Sequence, residues 1–403
     1  MRSGAEVAPS SLALSRGSSV PSERQRWFEG LDTERAIFQS FSGHLMNLGR
    51  SLFAVSRNET GAVFAAENSR MNYMQSHSNS DRAAAAEYVL VTSTLVDCLN
   101  TNTAIRDYVF QAFIDLLGAE HVGCCPLELA QQHIRERKPK LVVAIGSLAS
   151  DITDLRGLRQ SADTSGSLLT YWLHDDPYEF DYAFKAELTA DVVFSSDAWS
   201  VAHYRHPRVH HLPLAASEHI HYRPLLPTSQ RKFSLFFCGV AFPNRIKFLR
   251  DIDDTLSRYS VAVVGAGWPN DIRCARNERL SAPEMADCAQ QSLFTLNIGR
   301  VLDIANRRYA LPASTPGPRT FEVALSGSTQ LYLVSGLEIL DYFDSEKEII
   351  LVDSEKDIKI ALERARDEPD VIAEIGARSQ ARALKEHCYV NRVQKILTIC
   401  DGV

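Results

Sequence analysis

Residues 315–327 of this 403-residue chain read TPGPRTFEVALSG, and they lie between two predicted strands at 293–297 and 329–334. A loop rich in proline and glycine runs here into an apolar helical pattern, which predicts a strand–loop–helix–strand unit. Arg319 and Glu322 stand three residues apart, so both polar groups lie on one side of the first helical turn. The unit favours an α/β fold.

The start of this predicted helix has the composition of a nucleotide site. Free N–H groups at a helix N-terminus favour phosphate, and Arg319 adds a two-pronged phosphate donor. Glu322 can accept hydrogen bonds from the vicinal hydroxyls of a ribose. The alternative interpretation is that Glu322 complements the helix dipole and Arg319 is solvated at the edge of a loop.

The same alternation of apolar strands and amphipathic helices runs through two tandem blocks. The predicted strands are 88–91, 141–146, 168–173 and 192–195 in the first block, and 233–239, 261–265, 293–297, 329–334 and 348–352 in the second. Continuous apolar strands separated by helices form parallel sheets covered on both faces. We therefore predict two α/β lobes, joined by a proline-containing linker at 212–230.

These patterns divide the chain into four predicted parts. Residues 1–24 are rich in Ser, Gly, Ala and Pro, which predicts a disordered leader. Residues 25–85 form an accessory N-terminal segment, for which a contact between copies of the chain would be one use. Residues 86–222 form the first lobe, and residues 223–403 form the second.

Composition excludes several classes of protein. A net charge of −7 argues against a general nucleic-acid binder, because such proteins carry a strong basic excess. No apolar run approaches the roughly 20 residues that cross a bilayer, and the start lacks the apolar core of a secretory signal. We predict a cytoplasmic protein without a transmembrane segment.

The cysteines and histidines do not have the spacing of a metal site. The eight cysteines show no repeated CxxC pair, so we interpret them as small buried hydrophobes. Six histidines crowd residues 203–221, but His203 and His206 lack the i, i+4 spacing that brings two imidazoles together on a helix. We predict neither a protein-held metal nor a cofactor.

Ligands of parallel sheets collect outside the carboxyl ends of the strands. His174 and Asp175 follow the predicted strand 168–173, and we take them as catalytic candidates, either as hydrogen-bond partners of a substrate or as a general base. Asp176, which precedes Pro177, is predicted to cap the following helix.

Residues 265–270 (GAGWPN) follow another strand but do not form a dinucleotide motif. Asn270 replaces the third glycine of GxGxxG, and Pro269 obstructs the helix packing that this glycine permits. A nicotinamide or flavin oxidoreductase is therefore disfavoured. Gly265 and Trp268 would instead flank a nucleotide base, with packing as the alternative role for Trp268.

The C-terminal half resembles the CgeB-like (spore-maturation-protein type) glycosyltransferases. The residues that carry this resemblance are Leu296 to Arg300, the loop and helix at 315–327, the strand at 329–334, the segment 336–352 with Gly336, Glu338 and Phe343, and residues 381–392 (ARALKEHCYVNR). The resemblance covers roughly residues 230–400, with a weaker similarity in 86–225.

This resemblance implies the GT-B architecture, in which two Rossmann-like domains face each other across a cleft, here with an N-terminal extension. It implies a nucleotide-sugar donor bound by the second lobe, with a UDP-sugar as the default, and a hydroxyl acceptor (a small molecule, glycan or peptide) bound by the first. The donor-binding residues it implies, together with those inferred above, are Gly239, Arg245, Gly265, Trp268, Asn297, Arg300, Arg319, Phe321 and Glu322.

Stereochemistry and activity stay open at this point. Retaining relatives of the glycogen-synthase type carry a second glutamate where this chain has Ser314. If the reaction inverts, Asp175 is the leading candidate for the base; if it retains, Asp175 and His174 position the sugar. The alternatives to a transferase are a nucleotide-sugar epimerase of the same fold and a non-catalytic nucleotide-sugar-binding protein.

Overall fold

A computed structural model describes residues 88–402, so the predicted leader and the whole accessory segment lie outside the described residues. The described residues belong to one compact unit. The strands of the first sheet are β1 (Val89–Ser93), β2 (Val122–Cys124), β3 (Leu141–Gly146), β4 (Leu168–Leu173), β5 (Val192–Ser195) and β6 (Val209–His211). Those of the second are β7 (Phe233–Cys238), β8 (Val261–Gly265), β9 (Ala275–Asn277), β10 (Ser292–Asn297), β11 (Thr329–Leu333) and β12 (Ile350–Val352).

Helices connect these strands. The α-helices are α1 (Thr103–Leu117), α2 (Leu127–Arg137), α3 (Ile152–Ser165), α4 (Phe184–Glu187), α5 (Ala198–Val201), α6 (Glu218–His221), α7 (Pro243–Asp251), α8 (Asp253–Leu256), α9 (Ala282–Gln290), α10 (Pro318–Leu325), α11 (Glu355–Asp367), α12 (Pro369–Glu386) and α13 (Tyr389–Cys400). Short 3₁₀ turns occupy Ala119–His121, Phe180–Tyr182, Thr228–Gln230 and Glu338–Asp341.

Both sheets are wholly parallel, which confirms the predicted α/β class with two Rossmann-like domains. The first sheet has the order β2-β1-β3-β4-β5-β6, and the second has the order β12-β11-β10-β7-β8-β9. In the second sheet the chain adds β8 and β9 on one side of β7, and it then adds β10, β11 and β12 on the other side of β7. The carboxyl ends of β7 and β10 therefore flank the point where ligands bind in sheets of this kind.

Burial explains why the strands read as unbroken apolar runs. Every residue of β3 is buried, as expected for a central parallel strand with helices on both faces. The first core gathers around Trp172, Phe194 and Phe113, and a separate core in the second lobe gathers around Phe294 and Leu331. Burying one such large side chain contributes about 1.5–3 kcal/mol.

The end of the described chain returns to the first lobe. The sequence predicts one helix over 371–398, whereas the structure ends α12 at Glu386 and begins α13 at Tyr389. The break is stabilised at Cys388, whose backbone N–H donates to Asn391 Oδ1 at 2.9 Å. Helix α13 then packs its apolar face against α1 and the first core.

Within residues 88–402, every helix falls short of the length or apolarity that a membrane span needs.

Candidate active site

The carboxyl ends of the two sheets face each other. Arg300, just after β10, donates to Asp175, just after β4, with 2.7 Å between Nη2 and Oδ1. Asp197, just after β5, accepts the backbone N–H of Ser314 at 2.8 Å and that of Thr315 at 3.2 Å, in the loop before α10. Loops that follow strands of both lobes therefore meet, as the predicted facing domains require.

Three arginines from separate segments of the second lobe converge at this meeting point. They are Arg245 on α7, Arg300 after β10 and Arg319 at the start of α10. Burial, followed by the charges of the other two guanidinium groups, lowers the pKa of Arg245 to about 10. Like charges held together at a partly buried site are unfavourable unless an anion joins them.

All hydrogen bonds that Arg245 makes within the described residues go to backbone carbonyl groups. Its Nε and Nη2 donate to the carbonyl oxygen of Ile298 at 3.0 and 2.8 Å, and its Nη1 donates to that of Val240 at 3.0 Å. Within residues 88–402 no carboxylate forms an ion pair with it. Two of its five N–H groups, one on each terminal nitrogen, stay available to an incoming acceptor. An oriented guanidinium without a counterion is a strong indication of an anion site.

Helix α10 adds a second positive element. Gly317 is its N-cap, no side chain caps it, and Pro318 occupies the first turn, as the sequence predicts. Arg319 Nη1 lies 3.0 Å from Glu322 Oε2, so the two residues, which the sequence places on one side of the first turn, form an ion pair there. The other oxygen of Glu322 lies 3.7 Å from Nε2 of His221, on α6. Arg319 keeps about a third of its side chain exposed, with a relative accessibility of 36%.

His174, Asp175 and Arg300 form a chain of contacts across the two lobes. His174 Nδ1 lies 3.2 Å from Asp175 Oδ2, while Arg300 engages the other carboxylate oxygen. Burial opposes the charged form of Asp175, but His174 and Arg300 outweigh burial and hold its pKa well below the ordinary value. His174 Nε2 is buried and has no hydrogen-bond partner among the described residues. The guanidinium of Arg300 also lies over the ring of Tyr178, 4.2 Å from its centroid.

Asp176 is not a helix cap, contrary to the sequence-based prediction. Its Oδ2 accepts hydrogen bonds from the hydroxyls of Ser195 at 2.6 Å and Tyr204 at 2.7 Å. The carboxyl therefore ties the loop after β4 to β5. Glu179, which the sequence analysis did not single out, is likewise buried and accepts from Ser147 Oγ and from the backbone N–H of Leu148, each at 2.5 Å.

These two buried carboxyls predict a fall in stability as the pH rises. Burial raises the pKa of Asp176 from 3.8 to about 7 and that of Glu179 from 4.5 to about 7. Between about pH 4 and about pH 7 the folded state therefore holds protons that the unfolded chain has lost. The stabilisation is complete below about pH 4 and is lost as the pH rises to about 7. The depressed pKa of Asp175 acts only in more acidic solution, because its stabilisation is lost as the pH falls below 3.8.

We expect the free energy of unfolding to fall by at least about 1.4 kcal/mol between pH 5 and about pH 7.5, which is the value of one pKa unit. Urea denaturation at several pH values measures this slope. Asp176→Asn and Glu179→Gln should each make the slope shallower. An equal change of unfolding free energy with pH in the wild type and both variants would contradict the raised pKa values of Asp176 and Glu179.

The predicted glycines meet where β7 and β8 end. Gly265 has φ +153°, and a Cβ added to it would lie 1.9 Å from the carbonyl oxygen of Gly239. A side chain at Gly239 would in turn meet Arg245 Nη1 at 2.9 Å. Glycine at both positions therefore lets the backbone approach the arginine cluster closely.

Two aromatic candidates lie in the cores instead of on a ligand surface. Trp268 is 3% exposed, and its indole N–H donates to the carbonyl oxygen of Gly239 at 3.1 Å, which favours the packing role over base stacking. Phe321 is fully buried against Tyr342 and His387. Both residues therefore support the site from the core side.

Asn297 occupies an intermediate position. Its amide group donates to Thr320 Oγ1 at 2.9 Å and to Gln330 Oε1 at 2.6 Å, which fixes the start of α10 against β10 and β11. The carbonyl oxygen Oδ1 makes no hydrogen bond within the described part of the chain. That oxygen is the group Asn297 can offer to a ligand.

A second contact between the lobes was not foreseen from the sequence. The loop after β10 lies on the segment after β4, where Tyr178 O accepts the backbone N–H groups of Ile304 and Ala305, each at 2.9 Å. Tyr309 packs edge-on against Phe180, with 5.0 Å between ring centroids.

Across residues 88–402, no three His, Cys, Asp or Glu side chains gather to hold a metal ion.

Comparison with known proteins finds a family model that matches most of the second lobe. Residues 245–398 match a family model described as "Glycosyl transferase-like". No curated protein matches the chain.

Solved structures share the fold at low sequence identity. Anabaena Alr3699/HepE, in complex with UDP, is 12% identical with a TM-score of 0.53 over 78% of this chain and 100% of that chain. Sucrose-phosphate synthase from Thermosynechococcus elongatus is 9% identical with a TM-score of 0.54 over 79% and 99%. A T4 phage BGT mutant in complex with UDP-glucose is 11% identical with a TM-score of 0.51 over 78% and 98%. The chain thus has the GT-B fold, and its residues 245–398 match a family model of glycosyl transferase-like sequences.

Proposed function

We propose that the protein is a glycosyltransferase that moves a sugar from a nucleoside-diphosphate sugar to a hydroxyl acceptor. The observation that carries this proposal is the convergence of Arg245, Arg300 and Arg319 beside the uncapped start of α10. A diphosphate matches this arrangement because it offers two adjacent anionic groups to several guanidinium donors and to helix N–H groups. The CgeB-like subtype is part of the proposal, on the residues at 296–300 and 315–392 that carry the resemblance.

The donor would lie mainly on the second lobe. Arg245 and Arg319 hold the diphosphate, and Glu322 accepts the ribose hydroxyls. As the bond between sugar and diphosphate breaks, negative charge grows on the leaving group, and fixed guanidinium groups stabilise that charge without reorganisation. A UDP-sugar is the donor we propose first, because HepE and BGT were solved with UDP and UDP-glucose.

His174 and Asp175 lie on the acceptor side of this arrangement. Asp175 is already engaged by His174 and Arg300, and its depressed pKa makes it a weak proton acceptor. We therefore assign Asp175 to positioning: it holds Arg300 toward the donor and His174 in a fixed orientation. This assignment replaces Asp175 as the leading candidate for a base.

A thermal-shift panel tests the proposed function directly. The probes are UDP, GDP, ADP and dTDP with their glucose derivatives, and we expect one base to raise the melting temperature by several degrees, since saturation at about 100 times Kd adds about 2.7 kcal/mol. Arg319→Ala should abolish the shift, while Arg250→Ala, an exposed arginine paired with Asp271, should leave it unchanged.

Turnover then separates the proposed activity from the alternatives. Acceptor-dependent release of the nucleotide supports a transferase. Release of an epimer without any acceptor would overturn it in favour of an epimerase, and binding without turnover of any kind would indicate a non-catalytic protein.

A further inference from the structure

Trp199 is an exposed tryptophan that the proposed mechanism does not use. It lies on α5, just after β5, and its relative accessibility is 56%. Its indole N–H makes no hydrogen bond within residues 88–402. One exposed apolar side chain needs no explanation, but an exposed tryptophan that is aligned with other aromatic rings indicates a binding surface.

Trp199 is the first member of a row of three rings. The rings of Trp199 and His203 lie 6.5 Å apart between centroids and are tilted by 37°, and His203 lies edge-on to Tyr309 at 6.4 Å. Nδ1 of His203 also lies 3.0 Å from the backbone carbonyl oxygen of Trp199, which fixes the two residues to each other. We call Trp199, His203 and Tyr309 the aromatic row.

Buried groups hold the aromatic row in place. Phe180 is 1% exposed, and His203 and Tyr309 both pack edge-on to it, with centroids at 6.3 and 5.0 Å. Tyr204 packs on Phe180 at 4.8 Å, and its hydroxyl donates to Asp176 at 2.7 Å. A surface that is fixed in this way loses little side-chain entropy when a ligand binds.

The aromatic row crosses the junction between the two lobes. Trp199 and His203 belong to the first lobe, whereas Tyr309 lies on the loop after β10 of the second lobe. Beside Trp199, the backbone N–H of Ala198 donates to Thr315 Oγ1 at 2.9 Å, in the loop before α10. A ligand on the row is therefore bound at the edge of the proposed active site.

This position differs from the point at which sugar transfer is proposed. The reacting hydroxyl has to reach the contact between Asp175, after β4, and Arg300, after β10. Trp199 follows β5, which is the next strand toward the edge of the first sheet, and neighbouring strands lie about 4.8 Å apart. A sugar ring on the aromatic row is therefore adjacent to the reacting ring and distinct from it.

The polar groups of the row suit a carbohydrate. Nε2 of His203 and the hydroxyl of Tyr309 make no hydrogen bond within the described residues, and the guanidinium of Arg308 lies 5.5 Å from the centroid of the Tyr309 ring. A sugar ring offers weakly positive C–H groups to the negative face of an indole, and its hydroxyls offer donors and acceptors at the rim. A protein partner or a bilayer needs a wider apolar surface.

We propose that the aromatic row binds a sugar ring next to the reacting one, so that the hydroxyl acceptor is a saccharide of at least two units. This inference rests on the proposed function and narrows its acceptor from a small molecule, glycan or peptide to a glycan. Trp199 is then a specificity-determining residue for the acceptor and takes no part in binding the donor. Loss of stacking on its ring should cost about 10-fold in affinity for a saccharide long enough to reach it.

¹⁹F NMR of the full chain labelled with 5-fluorotryptophan tests this inference without turnover. The chain has four tryptophans, and the signal that disappears in Trp199→Phe belongs to Trp199. The probes are cellotetraose, maltotetraose and N-acetylated chitotetraose, each compared with its monosaccharide. We expect one tetrasaccharide to move the Trp199 signal to saturation, with a Kd about 10-fold below that of its monosaccharide.

Calorimetry with that tetrasaccharide measures the contribution of the ring. Trp199→Ala should weaken binding about 10-fold and leave the affinities for the monosaccharide and for the nucleotide unchanged. Leu188→Ala is the matched control and should change none of these affinities. It truncates an apolar side chain that is 64% exposed on the same lobe but precedes β5, at the opposite end of that strand from Trp199.

The inference is overturned if no tetrasaccharide moves the Trp199 signal, if the monosaccharide binds as tightly, or if Trp199→Ala binds with the affinity of the wild type. A shift caused by vesicles of phosphatidylcholine and phosphatidylglycerol, and by no saccharide, would indicate a membrane surface and would also overturn it. Nucleotide binding without saccharide binding means that the inference fails alone. Saccharide binding without any nucleotide binding would support the aromatic row as a saccharide site and overturn the proposed function.

Discussion

Replacement of Arg245 by methionine is expected to lower sugar transfer about 100- to 1000-fold, the range found when one preorganised donor to a developing negative charge is removed. Arg245 is the arginine of the cluster that no carboxylate neutralises in the described chain, so a donor diphosphate would be its counterion. Three of its N–H groups are fixed on the carbonyl oxygens of Ile298 and Val240, and this anchoring holds the remaining two in place. Methionine keeps similar bulk without charge or donors.

The measurement is the rate of nucleotide release from the donor that the thermal-shift panel identifies. The turnover number should fall more than donor affinity, because the leaving diphosphate carries more charge in the transition state than in the ground state. Arg245→Lys should keep part of the activity, since it restores the charge without the two-pronged geometry. Arg250→Ala on the same helix serves as the matched control. Turnover at the wild-type rate in Arg245→Met would remove the basis for the diphosphate site.

Replacement of Asp175 by alanine is expected to lower the free energy of unfolding by about 2–5 kcal/mol, the cost of truncating one partner in a buried charged pair. The change leaves the guanidinium of Arg300 and Nδ1 of His174 without their shared acceptor. Because this pair joins loops of the two lobes, its loss also releases Arg300 from the donor site. Transfer should therefore fall together with stability.

Urea denaturation of single and double variants separates these effects. Asp175→Asn with Arg300→Met should be more stable than Asp175→Asn alone, since the second change removes the unpaired charge. Asp271→Ala, which breaks the exposed pair with Arg250, should change stability little. An Asp175→Ala protein as stable as the wild type would show that the pair does not hold the lobes together.

The sequence predicts the central strands and the edge strand β12 but misses the other three edge strands. The bounds of β3, β4, β5 and β8 agree with the predicted ranges, because buried parallel strands are unbroken apolar runs. The three-residue strands β2, β6 and β9 were missed. Segments this short carry no periodicity of their own, and they become strands by pairing with a neighbour that the fold supplies.

The same distinction between local and long-range contacts applies to the site. Arg319 and Glu322 were expected on one side of a helix turn, and they pair at 3.0 Å, because spacing along a helix fixes their separation. The pairing of Arg300 with Asp175 joins residues 125 positions apart and depends on how the lobes face each other. Glu179 was missed for a related reason: a glutamate in a polar loop predicts exposure, and only the tertiary fold buries it.

The return of α13 to the first lobe affects the order in which the protein can be completed. Tyr389, Val393 and Ile396 fill the surface of α1 beside Val109 and Phe113, yet ribosomes make them only after every strand of the second lobe. Until α13 has been synthesised, the apolar surface of α1 in the first lobe stays uncovered and accessible to chaperones. The two halves are consequently poor candidates for expression as independent fragments.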